Sequence, residues 1–323
     1  MKRFKKDLKP GEAFSSIFFL QSIEKNIDRN GAAFLKYSLW DKTGKINGYL
    51  WNDLQKAEQT VREHSFAIVE GIPFLFGTKQ VVKIFRIDGT NDGDVCYSDF
   101  GDTTPIGIDT LIERLHYLVE SIRDEYCRRL ISLYEEDRAF MQSFVTVPAG
   151  KNIHHSYIGG LLEHTVGAME KAVALAHESM NRDILLTGAF LHDSGKTKEL
   201  VAFPRCDYTT MGSLLGHTAI GFMHLQQKIA QIPGFPEELG LLLAHMILSH
   251  HGNKPSNPVP STPEAIDLAG ADGMDARINH VLGEMSNTRD AQIWGLFDKI
   301  LKTRVYVKPY HTTPPAESIR DAA

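Results

Sequence analysis

The segment Gly188–Leu200, GAFLHDSGKTKEL, places the adjacent pair His192–Asp193 at the end of an apolar run, with Gly195 and Lys196 close behind. Polar side chains at the buried end of a helix need partners, because a desolvated imidazole or carboxylate left unpaired is costly. Ordinary hydrogen bonds would satisfy the pair, and so would a metal ion. The metal reading requires further ligands elsewhere in the chain. Histidine is distributed unevenly enough to supply them, since ten of the fourteen lie between His154 and His251.

Outward from this pair, the candidates are His164 in GGLLEHTV, His217 in LLGHTAIG, His250–His251 in LSHHGNK and Asp272 in LAGADGMDA. Each falls on, or at the end of, a different predicted helix. Periodicity places these helices at about 157–178, 182–193, 211–230, 237–251, 262–285 and 288–304. Before them, residues 109–144 are helical, with Asp109 as the expected cap. A helix bundle can bring such side chains together in its core. Mixed imidazole and carboxylate ligands suit Mn, Fe, Co or Zn better than Mg or Ca. A carboxylate between imidazoles can bridge two ions.

Taken singly, a helix-borne histidine such as His177, His224 or His245 is more often a hydrogen-bonded, partly buried residue than a ligand. His154 and His155 precede a helix, where they cap it or face solvent; alternatively His155 donates to a bound phosphate. Lys196 either contacts a phosphate oxygen or leaving group, or forms a surface salt bridge.

The first part of the chain reads differently. AAFLKYSLW alternates, with Ala33, Leu35, Tyr37 and Leu39 on one face and Phe34, Lys36, Ser38 and Trp40 on the other. The turn Asp41–Gly44 leads to KINGYLW, which puts Lys45, Asn47, Tyr49 and Trp51 on one side. After a short helix (Leu54–Glu63) come SFAIVEG and a second hairpin, FLFGTKQVVKIFRI. About five strands with one helix suit a small closed barrel. A turn-rich acidic segment, Asn91–Gly107, follows.

Order and spacing together carry a resemblance. The series His164, His192–Asp193, Asp272, with HDSGK and ADGMDA, resembles the HD phosphohydrolase superfamily. HHSYIGGLLEHT, HDSGK, GHTAIG and ILSHHG further resemble the YhaM-type 3′→5′ exoribonucleases, in which an OB-fold precedes an HD domain. The loop Asn253–Pro263 departs from that pattern, which carries an acidic and aromatic segment there. The resemblance implies an α+β multidomain chain, an N-terminal OB-fold β-barrel followed by an all-α HD-domain helical bundle. It divides the chain into a nucleic-acid-binding domain with a basic arm (1–100), a helical connector (101–150), the HD domain (151–308) and a flexible tail (309–323).

It also implies the roles. His164, His192, Asp193 and Asp272 would hold one metal, and Asp193 would bridge to a second held by His217 and by His250, His251 or both. Manganese is the expected ion, with Fe, Co or Zn as alternatives. Asp193 and Lys196 are the expected catalytic residues, acting with metal-activated water on a phosphodiester. Phe34, Lys36, Trp40, Lys45 and Tyr49 would form the strand-binding face, since bases stack on aromatics while lysines follow phosphates. The implied substrate is single-stranded RNA or DNA, with RNA and 3′→5′ polarity inherited from the resemblance. The alternative is an HD-type hydrolase of small or cyclic nucleotides, which needs no barrel.

Charge agrees with this division. Residues 1–90 carry 15 Lys/Arg against 10 Asp/Glu, and residues 91–323 carry 20 against 30, net +5 and −10. A basic barrel suits a polyanion and an acidic remainder suits cations. No apolar run approaches the roughly 18–20 residues a bilayer requires, so no membrane partner is expected. The basic N-terminus lacks the hydrophobic stretch of a secretory signal. Three scattered cysteines (Cys96, Cys127, Cys206) read as thiols rather than a disulfide framework, which with the preceding points gives a cytoplasmic expectation. Self-association through the 109–144 helices is a further expectation.

Overall fold

The computed structural model describes residues 2–90, 92–151, 154–203, 206–252, 258–287 and 293–308. The expected tail, 309–323, and residues 253–257 of the departing loop lie outside them.

Five strands form a closed barrel: β1 (Phe14–Ile27), β2 (Ala33–Asp41), β3 (Gly44–Leu50), β4 (Ser65–Phe76) and β5 (Lys79–Gly89), with α1 (Leu54–Thr60) between β3 and β4. Their order is β1-β2-β3-β5-β4, and β1 also pairs with β4 to close the ring. All pairings are antiparallel except β3 with β5. This is the OB-fold. The period-2 alternation is the cause: Leu35, Tyr37 and Leu39 are fully buried, while Phe34, Lys36 and Trp40 on the other face are half-buried. The turn works as the sequence suggests, with Asp41 Oδ1 accepting from the Thr43 amide at 2.8 Å.

The helical part begins with α2 (Ile108–Glu120), α3 (Glu125–Glu135) and α4 (Arg138–Phe144). Asp109 does not cap α2. The cap position is Gly107, and Asp109 sits in the first turn, where a negative charge complements the helix dipole. Then follow α5 (Gly160–Leu175), α6 (Arg182–Leu191), α7 (Lys196–Glu199), the two-residue strands β6 (Leu200–Val201) and β7 (Asp207–Tyr208), α8 (Thr210–Ile229), α9 (Glu237–Ser249) and α10 (Pro263–Asn287). Among the described residues no helix is long and apolar enough to cross a membrane.

The expected helix at 288–304 is overturned. Its described part is a hairpin, β8 (Trp294–Asp298) with β9 (Thr303–Tyr306). Asp298 Oδ1 accepts from the amides of Ile300 and Leu301, and Lys302 adopts a left-handed φ of 54° that completes the turn. Aromatic and β-branched residues at Trp294, Thr303, Val305 and Tyr306 favour a pleated strand, and the Trp294–Tyr306 pair faces across it.

Barrel and helices meet at a third apolar cluster. Phe19 and Phe66 of the barrel pack with Phe100 of the connector and Ile158 and Phe203 of the helical part. Phe66 lies 4.7 Å from Phe100 and 5.2 Å from Phe203, edge to face. Such pairs add about 0.5–1.5 kcal/mol each beyond area burial, so the seam fixes the barrel beside the helical domain.

Candidate metal centre

Five elements deliver the polar cluster. His164 stands on the first turns of α5, and His192 follows the last residue of α6, a helix buried from Leu185 to Leu191. Asn181 starts α6 by accepting from the amides of Asp183 and Ile184. Asp193 lies between α6 and α7, His250 and His251 follow α9, and Asp272 is on α10. His217 is reached through a break in α8: Gly216 has φ 73° and ψ 158°, a region nearly restricted to glycine.

The side chains converge on Asp193. Its Oδ2 lies 3.3 Å from His164 Nε2 and 3.5 Å from His192 Nε2, and its Oδ1 lies 3.4 Å from His217 Nε2 and 3.6 Å from His250 Nε2. Asp272 Oδ1 is 3.2 Å from His164 Nε2, and its Oδ2 is 3.9 Å from His251 Nδ1. Asp193 is 2% exposed, and His164, His192 and His250 are no more than 1% exposed.

Four imidazoles engage a partner through Nδ1. His164 meets Asp275 at 2.7 Å, His192 the Ala189 carbonyl at 2.7 Å, His250 the Ile247 carbonyl at 2.8 Å and His217 Glu199 at 3.2 Å. With Nδ1 as donor, each Nε2 points into the cluster, where on losing its proton it can offer a lone pair to a cation. Those of His164 and His192 face each other at 3.3 Å, and those of His217 and His251 at 2.9 Å.

The donor set fits divalent cations. Asp193 Oδ1 and His250 Nε2 are buried without a hydrogen-bond partner, an expense that bound cations would remove. Among the described residues three groups have ligand atoms close enough to share an ion: His164, His192 and Asp272; His217, His250 and His251; and His154, His155 and His164, of which the first two surround Asp193. Imidazole nitrogen with carboxylate oxygen suits a first-row transition ion.

Electrostatics agree. Burial works to raise the Asp193 carboxyl, but the charges of Lys196 and His192 and the hydrogen bonds of His164 and His192 hold it well below the carboxylate range. Asp272 is likewise held low against burial by His164. Burial and the charge of His192 keep His250 neutral, well below the usual imidazole value.

Residues 161–277 match the HD domain family. The chain is 34% identical over 280 residues to the 3′-5′ exoribonuclease YhaM of Geobacillus sp. (strain WCH70), covering 84% of each chain. It is 31% identical over 275 residues to the protein of that name from Bacillus subtilis, covering 83% of this chain and 86% of that one. The chain belongs to the YhaM family. The relative from Halalkalibacterium halodurans extends the match to 95% of this chain and 96% of its own, at 29% identity. A solved structure, the second OB-fold domain of replication protein A from Methanococcus maripaludis, covers 28% of this chain and 97% of its own at 21% identity, with a TM-score of 0.24.

In this YhaM-family chain all seven expected ligands, His164, His192, Asp193, His217, His250, His251 and Asp272, fall within one cluster. Lys196 belongs to it too. Its Nζ donates to Asp193 Oδ2 at 2.5 Å from a buried position, so it is no surface salt bridge. His155 differs from expectation. It is 3% exposed, and a left-handed φ of 44° turns its ring toward Glu163 and Asp275, at 3.7 and 3.6 Å, leaving little surface for a phosphate. Half-buried His154 lies beside it, and the two rings are 5.3 Å (His154) and 5.4 Å (His155) from that of His164.

The expected strand-binding face divides. Phe34 and Tyr49 lie 6.0 Å apart, and Trp51 lies 5.5 Å from Phe34 and 6.0 Å from Tyr49, so three rings make a partly exposed platform. Lys45 is exposed but stands opposite Trp40, at the far end of β2 and β3 from the three rings, and Lys36, opposite Tyr49, is paired with Glu24 at 2.9 Å. Trp40 is not part of the platform. It shares the parity of Phe34 but lies at the other end of β2, opposite Phe19, where it packs into the seam with its Nε1 buried. In the basic arm, Lys2 is turned inward over the rings of Phe18 and Phe100, and burial lowers its ammonium to about 8.

Sequence reasoning missed Trp51, Asp275 and Glu199. The parity of Trp51 with Tyr49 was a usable signal, and so was the one-turn spacing of Asp275 from Asp272. Nothing local marks Glu199, whose part depends on where α8 breaks.

Proposed function

We propose that this chain is a divalent-cation-dependent phosphodiesterase that shortens single-stranded nucleic acid, preferentially RNA, from the 3′ end. The observation that carries the reading is Asp193, whose two oxygens face separate sets of imidazoles and so can belong to two cations at once. Family membership supports the reaction and its polarity. The ligand chemistry favours manganese, with iron, cobalt or zinc able to use the same donors.

When bound, such cations acidify water and offset the charge of a phosphodiester at its transition state. His164, His192 and Asp272 would hold one, His217, His250 and His251 the other, and Asp193 both. Lys196 brings an ammonium to the same point, where it can meet a phosphate oxygen or the departing 3′-oxygen. The platform of Phe34, Tyr49 and Trp51 would stack bases of the upstream strand, with Lys36 opposite Tyr49 and Lys45 farther along β3 available to its phosphates. No membrane attachment enters this reading, and a cytoplasmic site of action fits it.

Competition distinguishes this reading from hydrolysis of small nucleotides. With bis-p-nitrophenyl phosphate as chromogenic substrate and Mn²⁺ present, a single-stranded 20-mer should inhibit far more strongly than an equal concentration of mononucleotide. Equal inhibition by the two would favour a small-nucleotide hydrolase in which the barrel face is unused.

A further inference from the structure

The partners behind the imidazoles are of two kinds, and they are distributed evenly. His192 and His250 engage backbone carbonyls, whereas His164 and His217 engage the carboxylates of Asp275 and Glu199. One carboxylate-backed imidazole therefore stands in each half of the cluster.

Both carboxylates are built in. Asp275 is buried one turn beyond Asp272 on α10. One oxygen meets His164 Nδ1 at 2.7 Å, and the other accepts from Lys171 Nζ at 2.8 Å. Gly167 on α5 leaves it room: a Cβ there would lie 2.3 Å from Asp275 Oδ1. Glu199, 7% exposed, ends α7. Its Oε1 accepts from the His217 amide at 3.0 Å and faces the same residue's Nδ1 at 3.2 Å, the two N–H groups that the break at Gly216 turns toward it.

We propose that Asp275 and Glu199 are positioning residues, one for each cation of the centre. Each fixes the tautomer and orientation of the imidazole it backs and strengthens its Nε2 as a donor. A backbone carbonyl fixes the tautomer without adding charge, so His192 and His250 gain less. Losing such a partner typically weakens cation binding about 10–100-fold. The inference rests on the reading that this centre holds two cations.

The test is Mn²⁺ binding to the metal-stripped full chain, followed by the EPR signal of free Mn²⁺, with circular dichroism confirming the fold. The wild type should show two binding events. Asp275→Ala should weaken one about 10–100-fold and spare the other, and Glu199→Ala should do the converse. Asp275→Asn and Glu199→Gln keep an acceptor oxygen but lose the charge, so they should fall between, and they carry the test if an alanine variant fails to fold. Variants that leave both affinities within about twofold, or that each weaken both events equally, would overturn the assignment while leaving the centre intact. A wild type that takes up no Mn²⁺, or a single ion, would instead remove the two-cation reading beneath it.

Discussion

Asp193 Oδ1 and His250 Nε2 face each other at 3.6 Å, both buried, and neither has a hydrogen-bond partner. A fold keeps such a pair only if something else satisfies it, because an unmet buried polar group costs about 1–3 kcal/mol. Cation binding should therefore appear as stability. At a free Mn²⁺ concentration 100 times the dissociation constant of a site, the chain should gain about 2.7 kcal/mol against urea for each cation bound. Asp193→Ala should lose most of that gain and lower Mn²⁺ affinity more than about 100-fold, beyond the usual effect of losing a group that only backs a ligand. Urea midpoints with EDTA and with Mn²⁺, for both proteins, check this.

The break at Gly216 should be essential to the second half of the centre. An alanine there meets no neighbour within 4 Å, so its effect is confined to the backbone at φ 73°. Gly216→Ala should cost about 1–3 kcal/mol and shift His217 away from Glu199 and Asp193. The expected signature is a lower urea midpoint together with loss of one of two Mn²⁺ binding events.

Two tryptophans on the barrel should behave in opposite ways. Trp51→Ala should weaken binding of single-stranded RNA by about 1–3 kcal/mol, the range for one stacked base, with the melting temperature nearly unchanged. Trp40→Ala opens the seam and should cost about 3 kcal/mol of stability with little direct effect on RNA affinity. Fluorescence anisotropy with a labelled oligonucleotide, paired with thermal melts, separates the two.

Acid should destabilise the cation-free chain partly through His155. Burial and the charge of His164 lower its imidazole to about 3, so the folded state keeps it neutral. The unfolded chain takes up the proton near pH 6.5, so this contribution is complete above that pH and falls away as pH drops toward 3. Between pH 6.5 and 4.5 the loss from this residue should be about 2–3 kcal/mol. His155→Gln should flatten the dependence of the urea midpoint on pH over this window in EDTA. An unchanged slope would show that His155 is already charged in the fold.

Much of this centre was legible in the chain because metal ligation imposes residue type and order. His192–Asp193 stands at a helix end, its candidate partners fall on other helices, and it was their order, matching that of a known family, that assembled the cluster without coordinates. The barrel was legible through the strict alternation of β2 and β3. What failed depended on tertiary placement. Trp40 has the right parity but the wrong end of its strand, and only the docking of Phe203 onto the barrel shows that. His154 and His155 are neighbours in sequence, and only the fold shows that both rings approach that of His164. The 288–304 segment carried apolar residues at spacings that fit a helix, yet Asp298 and Lys302 make a turn that folds it back on itself. Glu199 needed the break at Gly216 to be seen.

The most direct test follows 5′-labelled single-stranded RNA and DNA of one sequence with metal-stripped protein after return of Mn²⁺, alongside Asp193→Ala. The account predicts a ladder that shortens from the 3′ end, faster on RNA, and absent in the variant. Intact strands from a protein that has demonstrably taken up Mn²⁺ would contradict it.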